Sequence, residues 1–239
     1  AQCVFLDEFK NKDGEITPVI IQKSDGGFLY ATTDLAAVRH RAGEVGADRI
    51  LYIVDSRQAF HLRQIFAVSR AAGLAPEDCS LEHHPFGTIL GKDGRPFRTR
   101  AGGTVKLMDV LEEAEQRAFD LVSEKSADLP EEQRRQIARV VGIGSVKYAD
   151  LSLNRTTDYI FDWDRMLSFD GNTAPYLQYS YVRVQSIFRR GELDEAAPQG
   201  DILIAEPAEK RLAVLLSQFA EAVEQVAGDC YPNVLCGYL

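Results

Sequence analysis

Hydrophobic positions change their period several times along the chain. Between residues 4 and 31, apolar runs at 4–9, 18–22 and 28–31 are separated by the polar turns Lys12-Asp13-Gly14-Glu15 and Asp25-Gly26-Gly27. Asp-Gly between apolar runs is a hairpin signal, so this stretch reads as extended. The spacing then becomes helical through Leu35, Ala36 and Val38, with Thr33 placed to cap the helix. A break at Gly46-Ala47-Asp48 leads into the run Ile50-Leu51-Tyr52-Ile53-Val54, which has the composition of a buried strand. A second helix is predicted over 59–72 and another strand over 84–90, giving the order β-α-β-α-β.

From Lys106 onward the pattern is helical. Leu107, Val110, Leu111, Ala114, Leu121 and Val122 fall on one face, and Asp128-Leu129-Pro130 marks a break with Asp128 as the next cap. Further helices are predicted over 131–150, 173–190 and 207–227. Residues 191–201, acidic and containing Pro and Gly, read as an exposed connection. There is no internal repeat.

Strands alternating with helices imply a parallel sheet, whose ligands sit beyond the carboxyl ends of the strands. That rule singles out residues 30–34, 55–61 and 91–103 as places to look for chemistry.

Composition narrows the class. Of 239 residues, 45% are hydrophobic and 26% charged, as in an ordinary globular protein, and the formal charge of -9 excludes a uniformly basic nucleic-acid coat. Cys3, Cys79, Cys230 and Cys236 form no CxxC and no metal-ligand spacing, so no protein-bound metal and a reducing, cytoplasmic setting are expected. No apolar run is long enough for a membrane span. The chain opens on Ala1 and both ends are apolar, which reads as an internal piece of a longer protein.

Against the acidic background the segment GKDGRPFRTRAGG, residues 91–103, is locally basic: Lys92, Arg95, Arg98 and Arg100 face the single acid Asp93. A Gly-rich cationic loop at a sheet edge suits a polyphosphate, although the residues alone fit a solvated loop as well. Tyr30 and Asp34 lie at a strand-to-helix junction, where a carboxylate is either a ligand group or simple complementation of the helix dipole. Gln58 and His61 open the next helix, and the histidine reads equally as a phosphate or acid-base group or as a packing residue. His83 and His84 are adjacent in an extended segment, point to opposite faces and do not chelate one metal. In the helical half, Asn172, Tyr176, Tyr179 and Arg183 belong to an aromatic and basic stretch that fits either nucleic-acid stacking or ordinary packing.

Five segments, YATTDLAA from Tyr30, YIVDSRQAFHL from Tyr52, FGTILGKDGRPFRTRAGGTVKLMDVLEEA from Phe86, GIGSVKYADLSLNRTTDYIFDWD from Gly142 and GNTAPYLQYSYVRVQSIFR from Gly171, occur in an order that closely resembles the class I arginyl-tRNA synthetases. The resemblance covers nearly the whole chain. It implies an α/β fold, the second half of a Rossmann-type parallel-sheet catalytic domain over 1–126, then an all-α helical stem and part of an anticodon-binding domain over 127–239. It implies arginine, ATP with its Mg2+, and tRNA(Arg) as partners of a cytoplasmic, monomeric ligase.

On matched positions the resemblance assigns Tyr30, Asp34 and Gln58 to the substrate arginine. His61, Phe86, Gly87, Thr88 and Ile89 fall to ATP, and Asn172, Tyr176, Tyr179 and Arg183 to tRNA. The segment Phe97-Arg98-Thr99-Arg100 stands where the family has KMSKS, which stabilises the leaving pyrophosphate. Both lysines of that motif are missing in register, so Lys92, Arg95, Arg98, Thr99 and Arg100 are all candidates. No HxGH histidine pair occurs, so half of the nucleotide site is expected to lie outside this chain, which alone should complete neither step.

Overall fold

A computed structural model describes residues 1–95, 106–192 and 200–239. The chain divides into two compact units, Ala1–Gly87 and Thr88–Leu239.

In the first unit, β1 (Gln2–Val4) and β2 (Val19–Gln22) pair antiparallel, and Gln22 bridges to Phe28 across the turn at Gly26, whose φ of +85° suits glycine. The segment 28–31 is not a strand beyond that bridge. Helix α1 (Tyr30–Arg39) already begins there, with extended Leu29 at its N-cap. Thr33 therefore lies within the first turn, where its hydroxyl donates to the Tyr30 carbonyl at 2.8 Å, and does not cap the helix. A π turn (His40–Glu44) continues α1 before β3 (Arg49–Tyr52).

A 3-10 turn (Ser56–Gln58) leads into α2 (Ala59–Ala71), which returns the chain to β4 (Ser80–His83). Strands β3 and β4 are parallel, in the register Ile50↔Leu81 and Tyr52↔His83, so the predicted alternation of strand and helix is present. The strand expected over 84–90 is displaced: β4 ends at His83, and Phe86 makes only an isolated parallel bridge to Asp55. Val19, Leu35, Val38, Ile50, Ile65 and Val68 form the core between sheet and helices.

The second unit contains β5 (Ile89–Leu90), α3 (Leu107–Lys125), α4 (Glu131–Leu151), β6 (Tyr159–Ile160), α5 (Trp163–Met166), α6 (Ala174–Arg190), α7 (Pro207–Ser217), α8 (Phe219–Asp229) and α9 (Pro232–Tyr238). Strands β5 and β6 are parallel. Helices α3 and α4 form a hairpin that straddles residue 126, closed by Ala114, Ala118, Ala138, Gly142 and Ser145. At Gly142 a Cβ would stand 2.6 Å from the Ala114 carbonyl oxygen, so only glycine permits this approach.

Two further helix boundaries differ from expectation. The N-cap of α4 is Pro130, not Asp128, with Glu131 and Glu132 in the first turn. Proline lacks an N–H and is held extended here (ψ 144°), so it serves as a stop without a side-chain cap. The helix expected over 207–227 is two helices that share Gln218, at φ -87° and ψ -1°, as a common boundary.

Candidate active site

Tyr52 ends β3, and the chain leaves the sheet through Ile53, Val54 and Asp55. The Asp55 carboxylate accepts from the Arg57 backbone N–H at 2.8 Å and from its guanidinium at 2.9 Å, which nucleates the 3-10 turn. Those Arg57 hydrogen bonds hold the Asp55 carboxyl at about 2, below its ordinary value of 3.8. The turn fixes Gln58 at the entrance of α2 and His61 in its first turn.

Across from these residues α1 supplies Tyr30 and Asp34. Together with Tyr52, Asp55, Leu62 and Phe86 they line an open cleft of about 370 Å³ beyond the carboxyl end of β3. The sheet-edge rule thus finds the cleft. Tyr30, Asp34, Gln58, His61 and Phe86, five of the residues singled out in the sequence, lie together on it, and the Asp55–Phe86 bridge sets the aromatic ring at one side.

Within the cleft, Asp34 Oδ2 is 2.6 Å from His61 Nε2, and the Tyr30 and His61 rings stand 4.8 Å apart at 49°. Because α1 starts at Tyr30, Asp34 belongs to its second turn, beyond the turn in which the helix dipole acts. The imidazole takes the place that the helix N-terminus was expected to fill. Burial pushes the Tyr52 phenol up from its ordinary value, against the opposing effect of Arg41, whose guanidinium donates to the hydroxyl at 3.2 Å.

Sequence reasoning singled out residues 55–61 but gave no role to Tyr52 or Asp55. The signals were present: a tyrosine at the end of an apolar strand run, and an Asp two residues before Arg57, the pattern of a side-chain-capped turn.

The other candidates belong to the second unit, apart from Gly87, which ends the first. The Thr88 N–H donates to Asp158 Oδ1 at 2.6 Å, and Ile89 opens β5. Continuing the β5–β6 register by two residues brings Lys92 beside Asp162, with Nζ 3.1 Å from Oδ2. The Lys92 hydrogen bond holds the Asp162 carboxyl below its ordinary value. The Arg95 N–H donates to Asp93 at 3.1 Å. Arg98, Thr99 and Arg100 lie outside the described residues.

Helix α6 is capped by Thr173, whose hydroxyl accepts from the Tyr176 N–H at 3.3 Å. Tyr176, Tyr179 and Arg183 follow at helical spacing on one exposed face, with the guanidinium 5.7 Å from the Tyr179 ring centre. Asn172 precedes the cap and contacts the Tyr148 hydroxyl.

This parallel strand pairing and the helices that follow are the fold of a class I synthetase. Residues 1–163 match the model of the tRNA synthetases class I (R) catalytic domain, and 177–239 match that of the DALR anticodon binding domain. The chain belongs to the arginyl family of class I tRNA synthetases.

It is 60% identical to the arginine–tRNA ligases of Marinomonas sp. (strain MWYL1), over 239 residues, and Laribacter hongkongensis (strain HLHK9), over 240. In each case all of this chain matches 41% of the relative, so it spans about two fifths of their length. Among solved structures, the arginyl-tRNA synthetase of Plasmodium falciparum superposes with a TM-score of 0.81 at 26% identity, over 99% of this chain and 39% of that one. The Thermus thermophilus arginyl-tRNA synthetase gives 0.79 at 26% identity, over 99% and 43%.

Proposed function

We propose that the full protein is an arginine–tRNA ligase, which activates L-arginine with ATP and Mg2+ to arginyl-adenylate and transfers it to tRNA(Arg). The observation that carries this reading is the grouping of Tyr30, Asp34 and Gln58 on one cleft at the carboxyl edge of β3. A carboxylate there suits a guanidinium, whose planar fork pairs bidentately with it. Gln58 adds an amide able to donate or accept, and Tyr30 an aromatic wall.

Adenosine is assigned to Phe86, Gly87, Thr88 and Ile89, and the cations facing pyrophosphate to Lys92, Arg95, Arg98 and Arg100, with Thr99 beside them. Their work is positioning and electrostatic stabilisation of the charge on the transferring phosphorus, and Mg2+ arrives with ATP. Asn172, Tyr176, Tyr179 and Arg183 are assigned to tRNA. The catalytic half is drawn over 1–126 and the helical part over 127–239. No helix among the described residues is long and apolar enough to cross a membrane, and a cytoplasmic monomer is the accompanying reading.

The test is charging of bulk tRNA by the full-length protein with arginine, lysine and citrulline in parallel. Charging by arginine alone is expected. Replacing Asp34 by Asn should raise the KM for arginine by about tenfold or more, the loss of a charge-assisted pair, and leave that for ATP within about twofold. Unaltered arginine kinetics in Asp34→Asn would remove the guanidinium assignment.

A further inference from the structure

We propose that His61 is a positioning residue for the arginine site: held by the ring of Tyr30, it fixes the Asp34 carboxylate in the orientation that receives a guanidinium. This rests on the reading of the cleft as the arginine site. It moves His61 from the ATP side, where the resemblance placed it, to the amino-acid side.

Three observations carry the proposal. Asp34 sits in the second turn of α1 with about a third of its side chain exposed, so neither the helix N-terminus nor packing by itself selects a rotamer. His61, on a different helix and only 19% exposed, reaches it through Nε2 at 2.6 Å. Tyr30, one turn before Asp34 on α1, lies against the imidazole at 4.8 Å between ring centres and limits its rotation.

The hydrogen bond has a defined polarity. An ionised carboxylate only accepts, so the hydrogen of this bond is carried by Nε2. One such bond takes a single lone pair of Oδ2. The other lone pair and the whole of Oδ1 are left for two parallel guanidinium N–H groups. Without the imidazole, the carboxylate would have to be ordered by the substrate itself, at a cost in affinity.

The contribution is therefore to recognition of arginine and not to the phosphoryl chemistry, and the kinetics separate the two. In the full-length protein, His61→Leu is expected to raise the KM for arginine about tenfold with kcat and the KM for ATP within about twofold, the loss expected for one charge-assisted hydrogen bond. His61→Gln places an amide donor near the position of Nε2 and should recover arginine KM to within about threefold of the parent. In an Asp34→Asn background, His61→Leu should add less than about a factor of two, because the two residues act as one unit.

A rise in the KM for ATP with arginine unmoved would return His61 to the nucleotide. A rise in both KM values that Gln does not rescue, or a full tenfold effect in the Asp34→Asn background, would make it a packing residue and overturn the proposal. If His61→Leu does not fold, His61→Asn replaces it: its shorter amide stops short of Asp34, so the same rise is expected, and parental kinetics would refute the role. Failure of the cleft reading itself shows separately, as unchanged arginine kinetics in Asp34→Asn alone.

Discussion

Carboxylates in this chain are set by the donors that face them. Glu82 on β4 receives the Arg49 guanidinium at 2.6 and 2.7 Å, with Ser80 and His84 at 2.7 Å each. The Arg49 hydrogen bonds, chiefly, hold its carboxyl at about 2 against an ordinary value of 4.5. A carboxyl lowered on folding stabilises the native state above its unfolded value and loses that contribution as pH falls through the folded one. Glu82→Gln should therefore flatten the dependence of stability on pH between about 4.5 and 2, measured by urea unfolding at a series of pH values. Equal slopes in parent and variant would show that Arg49 does not hold Glu82 in solution. At this scale the sequence was partly legible. Gln58 could be singled out from its place after a strand, and Asp34 only through a strand expected over 28–31 that gives way to the start of α1; the partner of Asp34 lies 27 residues away on another helix, a pairing that no local pattern records.

Helices were read more accurately than their ends. Periodicity marks the buried face of α3 through Ala114, because that face must meet another helix, whereas termini depend on single backbone choices. Thr33 and Asp128 both have the chemistry of caps, yet Leu29 and Pro130 occupy those positions, each with an extended backbone that stops the helix without a side-chain acceptor. The strand expected over 84–90 failed for a related reason: its apolar residues are shared between the bridge at Phe86 and the short β5, which belong to different units. The α3–α4 hairpin supplies the test at this scale. Gly142→Ala would drive a methyl into the Ala114 backbone and should destabilise the protein by roughly 1–3 kcal/mol, read as a lowered Tm. An unchanged Tm would mean that the helices separate at little cost.

Over the whole chain the net charge is -9, so the tRNA binding proposed for it must rest on local cations. Arg183, over Tyr179 on the exposed face of α6, is the cation proposed for this contact. Arg183→Ala should weaken tRNA binding and reduce the slope of log affinity against log salt by about one phosphate contact, roughly 0.7–0.9, measured by filter binding at several salt concentrations. An unchanged slope would take Arg183 off the interface. The family was legible at this scale because five motifs keep their order across nearly the whole chain. The division into units after Gly87 was not, since packing between distant segments leaves no mark in a linear pattern.

The Tyr148 hydroxyl touches Asn172, 24 residues on, and the Cys236 carbonyl at 3.0 Å, 88 residues on. Burial, first of all, raises its pKa, so it remains a neutral donor at physiological pH. One side chain of α4 is thus common to the lead-in of α6 and to α9. Helix α9, only seven residues long, therefore cannot open independently: opening it breaks a contact shared with the interior of the unit, and its amides should exchange with solvent as part of a cooperative block that includes α4.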